Sequence, residues 1–391
     1  MSSPQPPMTR RRALLEVTGV FLRLGFTAFG GPAAAIAMMQ QEMVQRRKWV
    51  SPQQFVDMLG IANVIPGPTS TELAIYLGYL RAGWPGLLLG GVCFIAPAML
   101  IVLALAWAYV SYGQLPQVTW LFYGIQPVVV AIVAQAIWNL GRVILKSAWA
   151  VAAGALVVAL YLLGVNVLAL LFGAGLIIGV SRWLLARGSE SPVTIGAALP
   201  VIGAALPGAL AAAVVVPFSL GLLFFTFLKI GAVVYGSGYV LLAFLRTDLV
   251  QNLGWLTDRQ LLDAIAVGQF TPGPVFTTAT FIGYIVGGLP GALLATAGIF
   301  LPSFVLIAAI QPFAARLRQA RLTSAVLDGI NIAALGLMAG VLAQLGQHAL
   351  VDPLAWIVAL GALAILVRFR LNSAWLIAAG ALVGLLRFAL H

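Results

Sequence analysis

Apolar residues run along this chain in blocks of about twenty, separated by short polar turns. The blocks lack the period-two alternation of membrane strands, so they predict helices rather than a barrel. Membrane-crossing helices are expected at 86–111, 118–141, 148–164 and 167–185, and again at 291–314, 323–346, 353–368 and 373–390. A further apolar segment, Ala197–Pro217, lies between these two sets. Two stretches in the first half depart from the pattern. Residues 13–45 carry Glu16 and Arg23 and are interrupted at Phe29-Gly30-Gly31-Pro32, and residues 52–81 are interrupted at Pro66-Gly67-Pro68. Proline removes an N–H and clashes with the preceding turn, and glycine frees the backbone, so neither motif continues a helix. Each arm is short for a full crossing. The stretches are expected to be pairs of half-helices meeting mid-membrane, or broken spans.

The breaks recur. Phe21-Leu22-Arg23-Leu24-Gly25 lines up with Phe227-Leu228-Lys229-Ile230-Gly231 at an offset of 206 residues, which also pairs Trp49 with Trp255, Asp57 with Asp263 and Asn63 with Gln269. The same offset superimposes Pro66-Gly67-Pro68 on Pro272-Gly273-Pro274; one slipped residue later, Gly83, Pro85 and Pro97 match Gly288, Pro290 and Pro302. A duplicated chain follows: a tail over 1–12, a first repeat over 13–187, a linker with the unmatched apolar segment over 188–218, and a second repeat over 219–391.

Composition agrees with the pattern. The 391 residues are 62% hydrophobic and 8% charged, with mean hydropathy +1.06, too little charge to cover a soluble core of this size. The fold class expected is an all-α polytopic membrane protein. Lys and Arg outnumber Asp and Glu by 21 to 10. Positive-inside bias and anionic headgroups account for such an excess, and attraction of an anionic substrate would add to it. The basic residues sit at span ends without interleaved aromatics, which argues against nucleic acid. Cys93 is the one cysteine, and His348 and His391 are the two histidines. An intrachain disulfide, a thiolate metal cluster and Ser-His chemistry are thereby excluded, and no cofactor or metal is expected. No Gly-x-Gly-Asp motif or P-loop is present, so an enzyme is not expected. Met1–Thr9 reads as a disordered tail. Glu16 and Arg23 interrupt the apolar run after Arg10–Arg12 and no small-residue cleavage site closes it, so the segment is expected to be retained.

Charge placement predicts the topology. With Arg46, Arg47, Lys48 and Arg81 in the cytoplasm, the uncharged loop 112–117 and the turn at Asn166 fall outside, while Arg142, Lys146, Arg182 and Arg187 fall inside. If Ala197–Pro217 crosses once, Arg246, Asp248, Asp258 and Arg259 cancel outside, and Arg316, Arg318, Arg321, Arg368 and Arg370 fall inside. Every loop then obeys the rule if 13–45 enters and leaves on the cytoplasmic side. The two halves are therefore expected in inverted topology.

Candidate chemistry concentrates at the breaks. Helices restarting near Thr69 and Val275 would place Pro68 and Pro274 at the first turn, where a missing N–H costs nothing. Their free N–H groups and positive dipole ends form an anion site, with hydroxyls from Thr69, Ser70 and Thr71 in one copy and Thr277, Thr278 and Thr280 in the other. Two opposed helix starts, at Gly67 and Gly273, would suit a tetrahedral dianion. The alternative is that Pro and Gly merely kink packed helices whose hydroxyls bond back to their own backbone. Gly30 and Gly31, with Gly236 and Ser237 in the second copy, allow close approach of a ligand or equally of another helix. Arg23 and Lys229 occupy matched positions in apolar segments, where they would neutralise the substrate or snorkel to an interface. Asn63 and Gln269 would line the site or satisfy freed backbone groups. Glu72, in the first turn after the break, has Thr278 opposite it; it is either a dipole partner or a proton carrier. Ser51–Gln54 and Thr257–Gln260 have the spacing of capping boxes. Asp57 and Asp263 are expected to pair with basic neighbours, and Trp49 and Trp255 to anchor at the interface.

At these motifs the chain resembles the chromate ion transporter family in its long, two-repeat form. The resemblance rests on Phe29-Gly30-Gly31-Pro32, Arg46-Arg47-Lys48-Trp49 and Pro66-Gly67-Pro68, then on Tyr235-Gly236-Ser237-Gly238-Tyr239, Gly254-Trp255-Leu256 and Thr271-Pro272-Gly273-Pro274. It implies a secondary transporter in the cell inner membrane that exports chromate, coupled to protons as an antiporter, with sulfate as a similar oxyanion. The pattern departs from the family at Ala35, where His is common, and at Thr69, where Asn is common. Another oxyanion carrier and a passive anion channel are the alternatives. The partners implied are chromate or a sulfate-like oxyanion, protons and membrane lipid; a homodimer is the default expectation from symmetry.

Overall fold

The computed structural model describes residues 9–63, 65–186, 217–235, 238, 240–310, 321–369 and 371–390. Among these, the secondary structure is helical, with no strand. The tail 1–8, most of the linker and Gly236-Ser237 lie outside the described residues.

The first repeat forms α1 (Arg10–Thr27), α2 (Gly31–Gln40) continued by a π-helical turn Gln41–Arg46, α3 (Pro52–Ala62), α4 (Thr69–Tyr112), α5 (Pro116–Ile144), α6 (Ala148–Leu162) and α7 (Val167–Ala186). The second forms α8 (Leu220–Val233), α9 (Leu241–Leu245) with a π-helical turn Arg246–Asn252, α10 (Asp258–Phe270), α11 (Thr278–Ile310), α12 (Arg321–Ala349), α13 (Pro353–Phe369) and α14 (Ser373–Ala389). Local chemistry explains many of these ends. Ser51 Oγ accepts from the Gln54 N–H while the Gln54 side chain accepts from the Ser51 N–H, and Thr257 and Gln260 repeat the exchange, so both predicted capping boxes form. Asn166 and Asn372 cap α7 and α14 by accepting from backbone N–H groups.

The chain divides into two units, each drawing on both repeats. One gathers 1–113, 219–233 and 267–314; the other gathers 114–218, 234–266 and 315–391. In the first, α1 packs on α4, α8 on α11, and α4 on α11. Its buried centre includes Phe21, Met39, Met43, Phe55 and Phe94. In the second, α12 packs on α5, α6 and α7, and α5 packs on α13 and α14. There Tyr123 on α5 and Arg387 on α14 both bond to Asp352, which also accepts from the Ala355 N–H at the start of α13. Slight burial pushes the Asp352 carboxyl up, but the Ala355 N–H and the Arg387 guanidinium outweigh it and hold the group below the ordinary carboxylate range. Arg246 holds Asp258 at 2.7 Å, with Gln344 on α12 bonded to the same guanidinium.

At 44 residues, α4 is too long for one crossing, and its backbone resolves the excess. Ala82 (φ −140°, ψ 18°) and Gly83 (φ 66°, ψ −152°) leave helical geometry, and the arm before them folds back on the arm after them. The hairpin closes so tightly that a Cβ on Gly90 would lie 2.6 Å from the Ala74 carbonyl oxygen. In α11, Gly287 (φ −137°, ψ 18°) and Gly288 (φ 61°, ψ −154°) reproduce the same fold-back. Duplication is thus written in the backbone as well as in the residues.

Both broken stretches of the first repeat return to where they began. Glu16, early in α1, accepts from Arg47 at 3.0 Å and from Arg81 at 2.7 Å. Arg47 directly follows the α2 segment, and Arg81 ends the short arm of α4. Trp49 completes the knot: its indole N–H donates to Glu16 at 3.2 Å, and the Arg81 guanidinium lies 5.1 Å from its ring. Glu42 adds a second carboxylate, 2.8 Å from Arg47 and 3.4 Å from Arg46.

Candidate functional site

Both Pro-Gly-Pro breaks belong to the first unit. In the first, α3 ends at Ala62 and α4 restarts at Thr69, with Pro68 as its extended N-cap and Gly67 at φ 138°. Pro68 O accepts from the Thr71 N–H at 2.8 Å and the Glu72 N–H at 3.1 Å, which leaves the N–H groups before them at the head of the helix. Thr69, Ser70, Thr71 and Glu72 are all buried, the last two at 0% exposure. Thr71 Oγ1 and Glu72 Oε2 are buried without a hydrogen-bond partner. Glu72 Oε1 accepts from Ser303 Oγ at 3.4 Å, a long bond, across to α11 of the other repeat. A Cβ on Gly67 would collide with both Glu72 Oε1 and Ser303 Oγ, so the carboxyl and the serine lie directly on the glycine.

The second break keeps the plan and changes the chemistry. α10 ends at Phe270, Gly273 adopts φ 96°, and a 3₁₀ turn over Val275–Thr277 precedes α11. The helix therefore restarts as a 3₁₀ turn at Val275 and becomes α-helical only at Thr278. The Gly273 N–H donates to Ala28 O at 3.0 Å, next to the Gly30-Gly31 break, and a Cβ on Gly273 would lie 2.8 Å from the Ala98 methyl on α4. Ala98 and Ser303 are repeat partners. Each Pro-Gly-Pro break thus faces the long helix of the other repeat.

The hydroxyls of the second copy are engaged. Thr277 Oγ1 donates to Pro274 O and Thr278 Oγ1 to Val275 O, both at 2.8 Å. Thr280 Oγ1 lies 2.7 Å from Thr296 Oγ1. The bonding-back alternative describes this copy, whereas Thr71 has no such bond.

The remaining candidates spread out. Gly30 caps α2 in left-handed geometry at φ 103°, and Gly31 follows at φ 76°. Gln269 is buried and Asn63 is exposed, so the two amides are not equivalent. Arg23 and Lys229 are both exposed rather than folded into a break, and Arg23 acts electrostatically on Glu42. Gly236 and Ser237 fall outside the described residues. Asp57 accepts from Gln53, and buried Asp263 accepts from the Gln126 amide at 2.8 Å. Ala35 is buried in the apolar core at 1% exposure. Ser303 escaped the sequence reading because its repeat partner is alanine; its polarity inside an apolar helix was the available signal.

These features define a polytopic membrane protein built from two repeats, with interrupted helices and buried polar groups at the interruptions. The sequence profile of the family described as "Chromate transporter" matches residues 15–180 and 221–385, once per repeat. The chain belongs to the chromate transporter family. It is 34% identical over 388 residues to the chromate transport protein of Cupriavidus metallidurans, covering 95% of this chain and 94% of that one. The chromate transport protein of Pseudomonas aeruginosa is 32% identical over 88% of this chain and 82% of its own length. An uncharacterized transporter of Methanocaldococcus jannaschii is 28% identical over 84% of this chain and 83% of its own length. No solved structure matches.

Proposed function

We propose that this chain exports chromate, or a tetrahedral oxyanion like it, across the cytoplasmic membrane in a cycle coupled to protons. The observation that carries the reading is the first break: a helix N-terminus buried in an apolar protein, lined by Thr69, Ser70 and Thr71, with Thr71 Oγ1 unpartnered. Amide N–H groups and a free hydroxyl at a positive dipole end suit an oxyanion. Gly67 lets the backbone approach, and Gly273 with Gly30 and Gly31 brings a second pair of interruptions into the same unit. Thr277 and Thr278 would join the site only by giving up their backbone bonds. Glu72 is the group assigned to the proton.

Inverted repeats support alternating access. Gly91, near the start of the long arm of α4, lies against Phe304 near the end of the long arm of α11, while the Tyr109 ring, near the end of α4, has its centroid 5.2 Å from that of Phe281, on the short arm that folds back beside the start of the long arm of α11. Such contacts are what antiparallel long arms would make. The Glu16 knot supports re-entry of 13–45 and 52–81 from one side. On this reading 13–187 and 219–391 are the two functional repeats, joined by a linker that inverts the second.

Substrate-resolved flux into proteoliposomes tests the site. Thr71→Ala is expected to weaken chromate transport about 10- to 100-fold in apparent affinity, the loss of one hydrogen bond to a charged group. Thr277→Ala alone is expected to change it far less, because its hydroxyl is already bonded to Pro274 O. Equal flux in wild type and Thr71→Ala would remove the first break as the anion site. Sulfate in parallel vesicles separates chromate from its analogue, and currents far above carrier turnover would mark a channel.

A further inference from the structure

We infer that the proton on Glu72 and the oxyanion bind and cross together, so that each dianion leaves the cell as a unit of net charge minus one. The inference rests on the first break being the anion site.

The geometry around Glu72 carries it. The side chain has 0% exposure, its Oε2 has no hydrogen-bond partner, and its Oε1 has only the long bond from Ser303. The carboxyl lies on Gly67, within the break that opens onto the head of α4. A dianion held by the first-turn N–H groups would sit about one helical turn from it. An ionised Glu72 would therefore repel the dianion at short range in a medium that screens poorly. A protonated Glu72 removes that repulsion and presents an O–H donor. Proton and anion thus favour each other's binding, and a site of this kind moves them in one direction. Exchange of a proton for the anion would need the opposite, a site at which the two compete.

Among the described residues, the charged groups on elements packed against α4 lie or are engaged elsewhere: Arg10, Arg11 and Arg12 are exposed at the start of α1, Glu16 bonds Arg47 and Arg81, Asp57 accepts from Gln53, and Arg23 acts on Glu42. On α4 itself Tyr76 follows one turn later, and Tyr284 is the titratable side chain on α11. The second repeat places Thr278 where Glu72 stands and Ala98 where Ser303 stands, so the pair of breaks holds one proton site. One proton against two negative charges leaves one net negative charge, which the interior-negative membrane potential drives outward. Efflux and proton cotransport are compatible for this reason.

The test uses full-length protein in proteoliposomes with clamped potential, equal pH on both sides and an internal pH reporter, on the alkaline side of neutral where chromate is a dianion. Chromate leaving the vesicle is expected to carry protons out with it and to make the lumen more alkaline. The reversal potential is expected to move by about 59 mV per tenfold chromate gradient, the value for one net charge, falling to about 30 mV, the value for two, in Glu72→Gln with loss of the pH signal. Wild-type protons moving against chromate, or a wild-type slope of about 30 mV, would overturn the inference, as would Glu72→Gln retaining wild-type slope and proton flux. The wild-type measurements decide alone if the variant does not fold. Failure of the underlying site reads out separately, as a Thr71→Ala flux equal to wild type.

Discussion

Gly67 and Gly273 hold equivalent positions in sequence and in backbone, yet the side chains laid against them differ. One carries Glu72 and Ser303; the other carries Ala98 and the Ala28 carbonyl. One copy holds an incompletely bonded polar cluster, and in the other the Thr277 and Thr278 hydroxyls are bonded back, the difference expected if the first break is the anion site proposed above. The second copy bears on stability. Gly273→Ala would force a side chain into φ 96° and set its methyl 2.8 Å from Ala98. The expected cost is about 1–3 kcal/mol from left-handed strain and overpacking. Thermal unfolding in detergent checks it against Gly60→Ala, a position with nothing within 4 Å of the added carbon, which should leave the midpoint unchanged or raise it.

Helices in this protein are interrupted at the Pro-Gly-Pro breaks and folded back where length exceeds a crossing. The turns at Ala82-Gly83 and Gly287-Gly288 convert two overlong helices into a short arm and a spanning arm each. What keeps the first-repeat arms in register is ionic. Glu16 joins the start of α1, the end of the α2 segment and the end of the short arm of α4. Glu16→Gln weakens both bridges without removing bulk. With side chains between one fifth and one third exposed, the expected loss is modest, about 1 kcal/mol, but confined to these ends. Hydrogen exchange is expected to quicken across 41–51 and 78–84 while α11 and α12 keep wild-type protection. Unchanged exchange there would show that apolar packing alone closes the hairpins.

For the molecule as a whole, orientation of the repeats is the property that alternating access depends on. Loops at Leu163 and Val351 should face one side, and Ser147 and Leu371 the other. In a Cys93→Ala background, Leu163→Cys and Val351→Cys are expected to react with a membrane-impermeant maleimide in intact cells, and Ser147→Cys and Leu371→Cys only after permeabilisation. Leu163 and Val351 are 71% and 64% exposed, so access to the thiol is not limiting. Labelling of Leu163 together with Leu371 would mean parallel repeats and would end the inverted scheme.

Membrane residence, the four long apolar helices, the capping boxes and the two Pro-Gly-Pro breaks were legible in the linear chain. Hydropathy, proline and capping chemistry act over a few residues, and duplication repeats them at a fixed offset. The wiring was not legible. That Glu16 gathers Arg47 and Arg81, that each Pro-Gly-Pro faces the opposite repeat's long helix, and that Thr71 stays unpartnered while Thr277 bonds back are matters of packing between distant segments. Local propensity says nothing about which distant side chain fills a gap. Only the folded chain decides that Ser303 lies over Gly67, and with it which of two nearly identical breaks keeps a charge to manage.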